Sequence, residues 1–301
     1  MRLKFNTLDV FTTRRFGGNP LAIVHGGDEL ETVDMQAIAR EFNLSETVFV
    51  LTPENPAHSA RVRIFTPNAE LPFAGHPTIG TAILLAELRA PSLGGGRSAI
   101  ISLEQRIGIV RVGVRMRDGE AAYAEFDSPK LPDEQGAVFA VEDLASAVGL
   151  IPSEIGFENH RPTAFTLGLP FTFIPVRSLA TIEKARPVTS RWDRGLAAGG
   201  AAYVYCRETV HQTSQFHARM FAPAQGISED PATGAAAAAF AAVIARFDDP
   251  PGGEHRYQIE QGFEMGRPSL IHLSLVMNDG RLQTVRIGGH AVRVGDGEME
   301  V

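Results

Sequence analysis

Period-two alternation of apolar and polar residues recurs along the whole chain, and helical patterning is confined to a few stretches. Residues 4–12 (KFNTLDVFT), 21–27 (LAIVHGG), 48–53 (VFVLTP) and 61–67 (RVRIFTP) read as strands, bounded by Gly, Pro and Asn signals. Between them, Thr32 to Phe42 spaces Val33, Ile38 and Phe42 along one face and predicts a helix. The run IGTAILLAEL from Ile79 predicts a second. After the Gly94-Gly95-Gly96 loop, residues 98–129 are β-patterned, with Asp118-Gly119 as a hairpin signal. The pattern stops near Ser128-Pro129, and PKLPDEQGAVF reads as a linker. Beyond it come a short helix over 141–148 with a turn at Pro152-Ser153-Glu154, and strands in FTLG, FTFIPV and AAYVYC. A helix over 235–247 follows. DDPPGGEH is expected as a surface loop, then a short strand over 257–260, a turn-rich insert from Gln261 to Ser269, and a strand in LIHLSLVM. Two last strands are expected around Gly288-Gly289.

Two passages repeat. R-x-F-x-P occurs at Arg63 and again at Arg219, and 219 minus 63 gives an offset of 156. Gly18-Asn19-Pro20 before an apolar strand is echoed by Gly168-Leu169-Pro170, an offset of 150 (168 minus 18). Such self-similarity implies two copies of one domain, expected as 1–128 and 129–301 with the last strands able to return to the N-terminal half. Each R-x-F-x-P copy leads into a small-residue turn, AGHPT or EDPATG, that opens an apolar helix. A helix start exposes amides without partners and carries partial positive charge. Gly75 and Gly234 would let a carboxylate or developing enolate approach those amides closely.

Length favours about two domains, and 44% hydrophobic with 21% charged residues describes an ordinary globular protein. A net charge of -7 and a pI near 5.7 argue against a nucleic-acid or anionic-membrane partner. The opening residues lack an apolar core of signal type, and the longest apolar run, 235–245, is short of the roughly 20 residues of a span. A cytoplasmic protein is expected. Cys206 is the only cysteine, which precludes an intrachain disulfide and fits a reducing compartment.

No metal-ligand spacing surrounds His76, and no phosphate-loop, dinucleotide or G-x-S-x-G motif is present. What remains is Glu46, at a helix-to-strand turn before Val48-Phe49-Val50, with His76, Asp230 and two amide-rich helix starts. Taken singly, each has a plainer reading: a solvated turn glutamate, a structural histidine, a helix cap. Together with the matched turns they suit proton transfer at a carbon beside a carboxylate or carbonyl, chemistry that requires no cofactor and no metal.

FGGNPLAIV, NLSETVFV, RIFTPNAELPFAGHPTIG, SEDPATG and QGFEMGRPS, in this order and across nearly the whole chain, resemble the PhzF (phenazine biosynthesis) family. The resemblance implies an α+β, diaminopimelate epimerase-like fold. Two pseudo-symmetric domains would each wrap a curved sheet or barrel around a central helix, with the active site in the cleft between them. It further implies Glu46 of S-E-T as proton shuttle of an isomerase, and His76 and Asp230 in the site. Asn19, Ser45, Gly75, Thr233, Gly234 and Ala235 would bind a small carboxylate substrate. A homodimer is also implied. The family commonly has serine where Ala235 stands, so a hydroxyl contact is lost while the amide stays. Related epimerases and proline racemases use two cysteines; Ala74 and Thr233 occupy those places here, which excludes two-thiol racemisation. The readings to be separated are a cofactor-independent isomerase, a non-catalytic metabolite- or protein-binding member of the fold, and an amino-acid epimerase.

Overall fold

The structure is a computed structural model that describes residues 1–89, 96–135, 139–196 and 200–301. Gly94 and Gly95 of the expected loop, and residues 136–138 of the expected linker, lie outside the described residues. The chain forms two compact units, Met1–Pro129 with Gly288–Val301, and Lys130–Ile287.

The first unit contains β1 (Arg2–Val10), β2 (Asn19–His25), α1 (Thr32–Phe42), β3 (Glu46–Leu51), β4 (Ala60–Phe65), β5 (Glu70–Leu71), α2 (Gly75–Arg89), β6 (Arg97–Gln105), β7 (Gly108–Met116) and β8 (Ala122–Asp127). Strand β1 pairs antiparallel with β2, β2 runs parallel to β3, β3 is antiparallel to β4, β4 parallel to β6, and β6, β7 and β8 follow as hairpins. The ring is closed by the end of the chain, which pairs with both β1 and β8.

Inside it lies α2, touching β1, β2, β3, β6, β7 and β8. A helix that is apolar all round has no face to give to water, and every residue from Gly75 to Ala86 is buried. Gly80 is required by this enclosure, because a Cβ there would meet Leu21 Cδ2 at 2.6 Å and Val10 Cγ2 at 2.8 Å.

The second unit contains β9 (Asp133–Glu134), α3 (Val141–Ala147), β10 (Thr163–Thr166), β11 (Pro170–Pro175), α4 (Leu179–Ile182), α5 (Thr189–Gly195), β12 (Ala201–Cys206), β13 (Phe216–Ala222), β14 (Ile227–Asp230), α6 (Gly234–Phe247), β15 (Gly253–Gln261) and β16 (Ser269–Asn278); β17 (Arg281–Glu300) ends the chain. From β9 to β16 the pairings repeat the polarity of the first unit step by step: antiparallel, antiparallel, parallel, antiparallel, parallel, antiparallel. The duplication read from two short motifs therefore extends to strand order. Helix α6 packs on β10, β11 and β16. At its centre Phe240 is ringed by Phe173, Tyr203, Tyr205 and Phe216, with centroids 4.7–5.8 Å away.

Three expectations are corrected. Helix α2 begins at Gly75, four residues before Ile79, because Pro77 in a first turn forfeits no hydrogen bond. The two strands expected around Gly288-Gly289 are one continuous strand, β17. Its glycines are set by packing: a Cβ on Gly288 would strike the Tyr123 hydroxyl, and one on Gly289 the Phe11 ring. The loop expected over DDPPGGEH stops at Gly252, because the short strand expected over 257–260 is the end of a longer one, β15, that pairs with β16 along its whole length from Gly253.

Because Phe240 is fully buried among four aromatic rings, Phe240→Ala is expected to cost about 3–5 kcal/mol. Equilibrium urea unfolding reads this as a lower midpoint at unchanged slope.

Candidate active site

The first turn is built at the meeting of β2, β3 and α2. Helix α1 ends at Asn43, whose left-handed φ of 50° turns the chain sharply, and three residues later Glu46 opens β3 opposite Leu21 of β2. The Glu46 carboxylate is 13% exposed, and its Oε2 lies 3.4 Å from Nδ1 of His76, which is 4% exposed at the start of α2. Burial holds the His76 ring well below its ordinary range, at about 3, and the Pro20 carbonyl beside it only partly offsets this. His76 is thus neutral at working pH. Its Nε2 is buried with no hydrogen-bond partner among the described residues. Asn19, fully buried, opens β2 opposite Val10, and Ser45 precedes Glu46 directly.

Arg63 fixes the approach to this turn. Its Nε and Nη2 each reach a different oxygen of Glu70 at 2.8 Å, joining β4 to β5, and Nη2 also donates to Thr32 at the first residue of α1. The guanidinium stacks over Phe65, 5.1 Å from its centroid. Hydrogen bonding to Arg63 holds the Glu70 carboxyl below its usual range.

The second copy repeats this. Arg219 grips both oxygens of Glu229 at 2.8 Å and stacks over Phe221 at 5.0 Å. Its Nη1 donates to the carbonyls of Ile182, Glu183 and Ala185 at the end of α4. Residues i and i+2 share a face of a strand, which is why R-x-F recurs as a unit.

Asp230, buried next to Glu229, accepts the Thr233 hydroxyl at 2.5 Å. Gly234 opens α6 and is buried, while Ala235 is partly exposed. Within the first unit the fold thus joins Glu46 to His76, and within the second it joins Asp230 to Thr233. Cys206 is buried in β12, where burial and nearby glutamates push its thiol up to about 12, so it is no nucleophile.

Sequence reasoning missed the groups around Asp230. Gly262, at φ 76°, lets the QGFEMGRPS turn press on Pro231, where a Cβ would lie 2.6 Å from the Pro231 carbonyl oxygen. Glu264 of that turn and Glu260 bracket His217 at 2.9 Å on either ring nitrogen. Burial alone would lower His217, but the two carboxylates outweigh it and raise the ring to about 9. For the partners of the two arginines a signal was present, since each repeated arginine is followed within ten residues by Glu70 or Glu229.

Residues 8–297 match the family model described as phenazine biosynthesis-like protein. The chain is 52% identical to an uncharacterised isomerase of Mesorhizobium japonicum, covering 97% of this chain and 96% of that one. It is 34% identical to the trans-2,3-dihydro-3-hydroxyanthranilate isomerase of Pseudomonas chlororaphis over 97% of each. The crystal structure of a PhzF-family phenazine biosynthesis protein from Bacillus anthracis superposes with a TM-score of 0.89 at 25% identity, covering 100% of both chains. The chain belongs to the phenazine biosynthesis-like (PhzF) family and has its diaminopimelate epimerase-like fold. It is an isomerase. Among the described residues no helix is long and apolar enough to cross a membrane.

Two of the buried histidines, His76 and His217, should have their titrations displaced in opposite directions. Imidazole resonances followed by NMR are expected to show His76 neutral down to acid pH, and an inflection near 6.5 would contradict the geometry. His217 holds its proton more tightly folded than unfolded, so its stabilisation is complete below about 6.5 and lost as pH rises through about 9. Urea unfolding between pH 7 and 10 is expected to show a steeper loss of stability in the native chain than in His217→Gln.

Proposed function

We propose that this isomerase moves a proton at carbon on a small carboxylate substrate without a cofactor, with Glu46 as acid and base and His76 and Asp230 lining the substrate. The observation that carries the reading is the Glu46–His76 pair: a nearly buried carboxylate 3.4 Å from an imidazole that burial keeps neutral, at the first residues of a buried helix. A cation beside a carboxylate weakens it as a base, and a neutral ring does not. A neutral ring carries a single N–H, which the Pro20 carbonyl can hold, so its other nitrogen can accept a hydrogen bond from an N–H or O–H of the substrate. Helix amides at Gly75 and Gly234 suit the substrate carboxylate.

The relative named for trans-2,3-dihydro-3-hydroxyanthranilate isomerisation makes that compound the first substrate to assay. In deuterated water the native chain is expected to incorporate deuterium at carbon on turnover, read by mass spectrometry. Glu46→Gln keeps the shape and removes the base, and is expected to slow incorporation by at least about 100-fold. Exchange at the native rate in that variant would remove Glu46 from the chemistry.

A further inference from the structure

Thr233 is the N-cap residue of α6, yet its side chain makes no capping hydrogen bond. A threonine there ordinarily turns its oxygen onto an amide of the first turn. Here the hydroxyl is engaged elsewhere. Gln261, at the end of β15, donates Nε2–H to Thr233 Oγ1 at 3.1 Å and to the Asp230 carbonyl at 2.7 Å, while its Oε1 accepts the Thr233 amide at 3.2 Å. With one lone pair of the hydroxyl taken by Gln261, the Thr233 proton goes to Asp230 Oδ2 at 2.5 Å.

In the first unit a glutamine at the matching strand end also reaches a threonine near the helix start, but one inside the helix. Gln105, at the end of β6, donates to Thr78 Oγ1 at 2.9 Å, and the Thr78 hydroxyl donates to the Ala74 carbonyl at 2.7 Å. Gln105 and Gln261 stand 156 positions apart (261 minus 105), the offset that separates Arg63 from Arg219. Ala74, the residue before Gly75, has no side chain able to cap α2. The residue before α2 is thus an alanine with no oxygen to offer, and the one before α6 is a threonine that a glutamine holds away from the amides.

We infer that Gln261 is a positioning residue that draws Thr233 off the α6 amides and onto Asp230, leaving those amides open to the substrate carboxylate. The inference rests on the isomerase reading for its ligand, but not for its effect on the helix start. Gln261→Met keeps the length of the side chain and removes both donors. The released hydroxyl then caps the first turn of α6, and the substrate must displace it.

Amide hydrogen exchange by NMR tests the cap without any ligand. Protection of Ala235 and Ala236 is expected to rise in Gln261→Met and to return to the native level in Gln261→Met with Thr233→Val, which has no hydroxyl to offer. Unchanged protection in Gln261→Met, or a rise that persists with Thr233→Val, overturns the inference. Should Gln261→Met fail to fold, Gln261→Glu, which keeps an acceptor for the Thr233 amide but lacks the donors, is read the same way.

The consequence for binding is measured by calorimetry with trans-2,3-dihydro-3-hydroxyanthranilate in the Glu46→Gln background, where turnover is removed. Adding Gln261→Met is expected to weaken binding roughly tenfold, and adding Thr233→Val to recover most of that loss. A purely structural role would lower stability and leave this rescue absent. No binding in Glu46→Gln alone counts against the substrate reading, and the exchange data then decide the role of Gln261 by themselves.

Discussion

Each half of the chain depends on an arginine that holds a glutamate with two nitrogens and lies over the phenylalanine two residues on. Arg63 with Glu70 and Phe65, and Arg219 with Glu229 and Phe221, close the short hairpin that delivers the chain to a helix start. A third link from each guanidinium reaches a neighbouring helix end, Thr32 in one case and the carbonyls after α4 in the other. With Arg219 only 7% exposed, removing one partner would strand a charge in a poorly hydrated place, a loss on the order of 3–5 kcal/mol. The geometry also transmits position, because a two-pronged pair fixes orientation as well as distance. Glu229 stands next to Asp230, so the fork that closes the hairpin also settles where that carboxylate begins.

Burial decides the chemistry of two histidines in opposite ways. His76 has one carboxylate at 3.4 Å and the Pro20 carbonyl beside it, and desolvation outweighs both, so the ring stays neutral. His217 has a carboxylate at 2.9 Å on each nitrogen, and their hydrogen bonds overcome the same desolvation. The neutral ring sits beside Glu46. The charged one ties β13 to the end of β15 and the turn beyond it. Glu260 also accepts the amides of Val210 and His211, so this cluster anchors the loop before β13 as well. The strand end that carries Gln261 is thereby anchored through its neighbour Glu260, which helps to keep the Gln261 amide in register with Thr233.

Much of the architecture could be read from residue patterns, since it follows from local periodicity. The bounds of α1 match those expected, and the glycine turns do open helices. The repeated arginines, 156 positions apart, signalled a duplication that the strand pairings carry through both units. Glu46 and His76 were legible as candidates because their types and turn positions suit one chemistry. Their proximity was not, since 30 positions of chain (76 minus 46) separate them. Neither the continuity of β17 across Gly288-Gly289 nor the relay from Gln261 through Thr233 to Asp230 has a local signature. The first depends on a tyrosine of β8 and a phenylalanine just past the end of β1, the second on a glutamine 28 positions beyond the threonine.

By itself, then, the order of residues determined where strands and helices form, that the halves are copies, and which side chains could do acid and base work. These are matters of backbone preference and of side-chain spacing along one element, and neighbours in the chain suffice to express them. Tertiary structure alone decided which imidazole is charged and which threonine is turned from its cap. Both depend on how much water is excluded and on which partner arrives from far along the chain, and only the packed fold supplies those.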